Sequence, residues 1–128
     1  MRIPVCLQVA TAAAAITLSF NAVGQSNPHN GTWHASFKTA NGLPRDGTVV
    51  VNDNAGSWDM NVQSRNDPCV GRKFPIAVQK ATEDELVLVV EGSKALRGCQ
   101  DTELDFKAVD GTTLVGSANG VEFTLKKK

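Results

Sequence analysis

Between Thr32 and Lys126 apolar and polar residues alternate in short stretches, each ended by residues that turn a chain. This alternation constrains the fold more than any other feature, because a period of two sends successive side chains to opposite faces of an extended strand and fits no helix. Trp33, Ala35 and Phe37 share one face of the first stretch, against Thr32, His34, Ser36 and Lys38 on the other. The second, 48–52, is rich in Val; in the third, Trp58, Met60 and Val62 oppose Asp59, Asn61 and Gln63. Phe74, Ile76 and Val78 mark a fourth, where Pro75 predicts an edge or a bulge because it cannot donate to a ladder. In the fifth, 85–91, Leu86, Leu88 and Val90 face one way, yet Val87 and Val89 are apolar too. That strand is expected to be covered on both faces or to pair with another subunit. Stretches at 102–109, 112–118 and 121–126 complete eight.

The punctuation between them is equally specific. Asp110-Gly111 and Asn119-Gly120 both suit a two-residue hairpin turn with positive φ. Asn41-Gly42 and Asp46-Gly47 bracket a predicted turn around Pro44, and 53–56 turns the chain again. Residues 93–98 read as a single helical turn, with Ser93 capping its start and Gly98 ending it. Eight short strands joined to their sequence neighbours predict an all-β antiparallel meander. Closure into a small barrel hides the strand edges; the alternative is a two-sheet sandwich. The inward faces offer Trp33, Phe37, Trp58, Met60, Phe74, Ile76, Leu86, Leu88, Leu104, Phe106 and Phe123, a packed core without acid, base or nucleophile.

The start of the chain has the form of a secretory leader: Arg2, an apolar run over 10–20, then Ala22-Val23-Gly24 as a small-residue cleavage pattern. The expected organisation is a signal peptide at 1–24 and one domain at 25–128, periplasmic or secreted, with no membrane-spanning segment once the leader is cut. Cys6 leaves with it, so Cys69 and Cys99 are expected to pair in an oxidising compartment. Closing that loop stabilises by about 3.7 kcal/mol on a chain-entropy basis, a large share of the roughly 5 to 15 kcal/mol that holds a domain folded.

Composition and motif exclude more than they assign. Without Arg2 the chain has twelve basic against thirteen acidic residues, a balance that suggests neither nucleic acid nor an acidic membrane surface as partner. His29 and His34 are expected at the surface, too poorly spaced to share a metal, and no cofactor is expected. Asp101, Glu103 and Asp105 alternate along one strand, as a solvated outer face does, and Ser64, Ser93 and Ser117 lack a nucleophile-elbow context. The chain is therefore expected not to be an enzyme. Pairing of Cys69 with Cys99 would bring Arg65, Arg72 and Lys73 beside Lys94 and Arg97, a candidate partner-binding cluster for an acidic group. Alternatively, Asp67 and Asp101 pair with these cations and order the loops.

Gly31-Thr32-Trp33 at the start of the first strand, the eight-strand meander and Lys126 in the last strand resemble the calycin group of lipocalins and avidins. That resemblance implies a barrel in which Trp33 packs beneath Lys126. The combination of leader, barrel and one disulfide is also similar to small periplasmic protease inhibitors, whose mobile N-terminal segment would correspond to residues 25–30. The whole chain has the look of small exported bacterial β-barrel proteins. The leading expectation is an exported, non-enzymatic binding or interaction module that uses end loops around Cys69–Cys99 to hold an unknown protein or small acidic ligand. The alternative is an inhibitor of a periplasmic or secreted hydrolase acting through its N-terminal segment.

Overall fold

The computed structural model describes residues 26–62 and 66–128, so the leader expected at 1–24 falls outside the described residues. Eight strands follow one another as β1 (Gly31–Lys38), β2 (Pro44–Asn52), β3 (Ala55–Met60), β4 (Lys73–Ala81), β5 (Glu85–Glu91), β6 (Asp101–Asp110), β7 (Thr113–Ala118) and β8 (Val121–Lys127). Each pairs antiparallel with the next, and β8 pairs with β1 from Phe37↔Phe123 to Trp33↔Lys127, closing the barrel rather than leaving a sandwich. A short helix, α1 (Gly92–Ala95), lies between β5 and β6. No described helix is long and apolar enough to cross a membrane.

The two-residue period places the core where it was expected. Trp33, Ala35, Val49, Val51, Trp58, Met60, Ile76, Leu86, Leu88, Val90, Leu104, Phe106, Leu114 and Leu125 are buried together, with Phe37, Phe74 and Phe123 packed half-buried against them. Val87 and Val89 point outward and are half-buried.

Several local expectations are corrected. Residues 44–47 are not a turn but the start of β2, and the chain reverses instead over 39–43, where the Gly42 and Thr39 amides donate to the Thr39 and Leu43 carbonyls. Gly47 serves close approach: a Cβ there would lie 2.5 Å from the Asp59 carbonyl oxygen. Pro75 is at no edge, because the barrel has none. The β4–β5 ladder begins only at Ile76↔Val90, which spares the missing donor, and the bulge comes later, between Val78 and Lys80. Asn119 and Gly120 adopt the expected positive φ of 53° and 80°. Asp110-Gly111 does not; there the Asp110 carboxylate accepts from the Thr112 amide at 2.8 Å and hydroxyl at 2.9 Å, so a side chain makes the turn. The single helical turn expected near 93–98 is present, at Gly92–Ala95, but Ser93 does not cap it with its side chain.

One end of the barrel is closed. Trp33 is 1% exposed, its Nε1 donates to the His29 carbonyl at 2.8 Å, and the Lys127 ammonium stands 5.6 Å from its ring centroid. The basic residue over this tryptophan is thus Lys127, directly opposite in register, and not Lys126, which faces His34. His29 is not at the surface either: it is 6% exposed, and its Nε2 donates to the Thr82 carbonyl at 2.5 Å.

Candidate functional site

In an up-and-down barrel alternate connections share an end. The β1–β2, β3–β4, β5–β6 and β7–β8 connections therefore surround the end opposite the His29–Trp33 plug. The core does not fill this end. A half-open cavity of about 470 Å³ enters the barrel there, in the size range of about 300 to 1,000 Å³ typical of small-molecule sites. Its wall reaches Leu104, Val90 and Trp58, and Phe123 meets Trp58 edge-on at 5.3 Å, with Phe74 alongside on the neighbouring strand. The expectation of an interior wholly occupied by its own side chains therefore holds for the plugged half and fails at the mouth. The cause lies in the strands' outer ends: Val90, Thr102, Ala118 and Val121 occupy inward positions there and are too small to meet across the lumen.

Two segments build one side of this mouth. Asp67, Cys69 and Val70 come from the β3–β4 connection, and Gly92, Gly98, Cys99 and Gln100 from α1 and the chain after it. Cys69 and Cys99 are joined by a disulfide, with Cα atoms 5.6 Å apart. Each segment is also ordered from within. The Cys69 amide donates to the Asp67 carboxylate at 2.9 Å, and Arg72 Nε donates to the Pro68 carbonyl at 2.6 Å. On the other side, the Ser93 amide and hydroxyl donate to the Asp101 carboxylate at 2.9 and 2.7 Å, which holds that carboxyl below its ordinary value. Gly92 lets the chain fold back, since a Cβ there would sit 2.4 Å from the Gln100 carbonyl oxygen.

Of the predicted cations, the described Arg72, Lys73, Lys94 and Arg97 surround this end without lining the cavity. Lys94 pairs with Glu91 at 3.0 Å, Arg72 is turned to Pro68, and Lys73 and Arg97 are exposed. Arg65 lies outside the described residues. Asp101 orders its loop as supposed, but through Ser93 and not through a cation. The lining is mainly apolar, with Gln100, Thr102 and Asn119 supplying uncharged polar groups and Asp67 its carboxylate among the described residues. Sequence pattern pointed to Trp58, Phe74, Leu104 and Phe123 as core and missed that they face an opening. One sign was present: Thr102 is in phase with Leu104 and Phe106, so its side chain had to point inward.

Other polar clusters are surface features. Glu85 bonds Lys107 at 2.8 Å and Lys80 at 2.9 Å, and Lys107 foremost holds its carboxyl at about 2. His34 lies 3.3 Å from Asp46, on the exposed outer wall. Residues 27–30 are fastened to the barrel: Asn27 Nδ2 donates to the Asp53 carbonyl at 2.8 Å, and Asn30 exchanges bonds of 2.9 and 2.6 Å with Asp53. Among the described residues no group of three His, Cys, Asp or Glu side chains is placed to hold a metal ion. Compared with protein-family models, curated protein sequences and solved structures, the chain gives no match.

Proposed function

We propose that this protein is a non-enzymatic binding module whose site is the open end of the barrel, between the two segments joined by Cys69–Cys99. The observation that carries the reading is the cavity itself: about 470 Å³, walled by Trp58, Phe74, Leu104 and Phe123, with uncharged polar groups at Gln100, Thr102 and Asn119. Burying an apolar body there would gain about 25 cal/mol per Å², and aromatic walls favour a flat one. The ligand that fits is uncharged and ring-sized with a polar tip. An acidic group is better matched to Lys73 and Arg97 on the exterior, so the basic cluster serves at most an anionic extension of such a ligand. Export to an oxidising compartment belongs to the same reading, since the disulfide shapes the site. An inhibitor acting through its N-terminal arm is less well supported, because residues 27–30 are tied to Asp53 and Thr82.

The test uses N-phenyl-1-naphthylamine, an uncharged aromatic probe whose fluorescence rises in apolar surroundings. It should bind the wild-type protein saturably at one site. Ala118→Trp, which fills the mouth from the end of β7, should weaken binding at least about tenfold with an unchanged melting temperature. Equal binding by both proteins, or none by the wild type, would remove the proposal.

A further inference from the structure

The disulfide is part of the cavity wall rather than of the barrel frame. All eight strand pairings close without it, whereas seven residues of the cavity lining belong to the two segments that it joins. Its sulfurs are unequally placed: Cys99 is 6% exposed, while Cys69 is half-buried in the lining of a cavity open to solvent. Each segment has hydrogen bonds of its own, through Asp67, Pro68 and Asp101, that do not involve the sulfurs. What the covalent bond fixes is the position of one segment against the other, and therefore the width of the mouth.

Resting on the binding reading above, we infer that Cys69–Cys99 makes the site redox-responsive: the oxidised protein holds its ligand and reduction by a dithiol releases it. The reductant's thiolate reaches Cys69 Sγ through the mouth and forms a mixed disulfide. The Cys69–Cys99 bond breaks with its electron pair on Cys99, which takes up a proton. The reductant's second thiolate then attacks its own sulfur in the mixed disulfide and releases Cys69, which is protonated in turn. The dithiol has lost two electrons and two protons and become a disulfide, and the protein has gained two thiols. A ligand in the cavity stands between solvent and Cys69, so it slows the first attack. By linkage, ligand and disulfide stabilise one another by the same factor.

The experiment titrates the full oxidised protein and the dithiothreitol-reduced protein with N-phenyl-1-naphthylamine, with circular dichroism on both. The oxidised form should bind, and the reduced form should keep its strand signal while its affinity falls by about tenfold, within the range of allosteric couplings. Saturating probe should displace the reduction equilibrium by the same factor. Cys69→Ser with Cys99→Ser should bind as the reduced form does, in either redox buffer. Equal affinity in both redox states overturns the inference and leaves the binding site standing. No binding by the oxidised form overturns the binding reading and this inference with it. Loss of the strand signal on reduction also overturns it, because the bond would then be holding the barrel.

Discussion

At the scale of single residues, two side chains mark where local chemistry departs from what an alternating pattern can say. His29 looks like an exposed polar residue in a turn, yet it plugs the closed end with its ring against the Thr82 carbonyl. His29→Leu should keep the barrel but orphan that acceptor, lowering stability by about 1 to 3 kcal/mol in urea denaturation; no change would mean that solvent already serves Thr82. Glu85 is held at about 2, chiefly by Lys107 and then by Lys80. A carboxyl depressed in the folded state stabilises fully above its unfolded value, near 4.5, and that contribution fades as pH falls toward 2. In Lys107→Met, an NMR titration should find the Glu85 midpoint moved up toward 4.5, and the loss of stability in acid should become shallower. The main partners of His29 and Glu85 could not be read from the sequence, because Thr82 in the β4–β5 connection and Lys107 on β6 lie far along the chain and meet them only through closure and register.

At the scale of elements, strands were legible and their ends were not. The fifth strand lies where its Leu and Val residues put it, at Glu85–Glu91, because alternation and β-branching act along one segment. β2, by contrast, starts at Pro44, inside a stretch whose Pro, Asp and Gly suggest a turn. What decides it is tertiary: Gly47 sits against both β1 and β3, opposite Ala35 and Met60, where no side chain fits. Gly47→Ala should destabilise by about 1 to 3 kcal/mol, measured by thermal or urea unfolding, and weaken amide protection in β2 and β3 before other strands. An unchanged melting temperature would mean that β3 shifts freely, against a register that pairs Gly47 with Met60. Both signals mark hairpins, β7–β8 at Asn119-Gly120 and β6–β7 at Asp110-Gly111, but only the first takes positive φ; at the second the Asp110 carboxylate offers the Thr112 amide a competing partner.

At the scale of the whole molecule, the meander and the disulfide give the two ends different characters. One end is sealed by Trp33, His29 and Lys127; the other is kept open by small inward residues and by two segments joined through sulfur. Closure and a shared inner face were foreseeable from eight alternating strands. The cavity was not, since it depends on how far residues such as Ala118 and Thr102 fall short of the far wall, a distance no one-dimensional pattern carries. The two tryptophans have different surroundings, Trp33 against His29 and Lys127 in the plug and Trp58 in the cavity wall, so they report on different parts of the interior. The most direct measurement follows the two indole N–H signals in an amide-correlation NMR spectrum during titration with N-phenyl-1-naphthylamine. The Trp58 signal should shift and saturate while the Trp33 signal stays in place; equal shifts in both, or movement of Trp33 alone, would contradict a site at the open end.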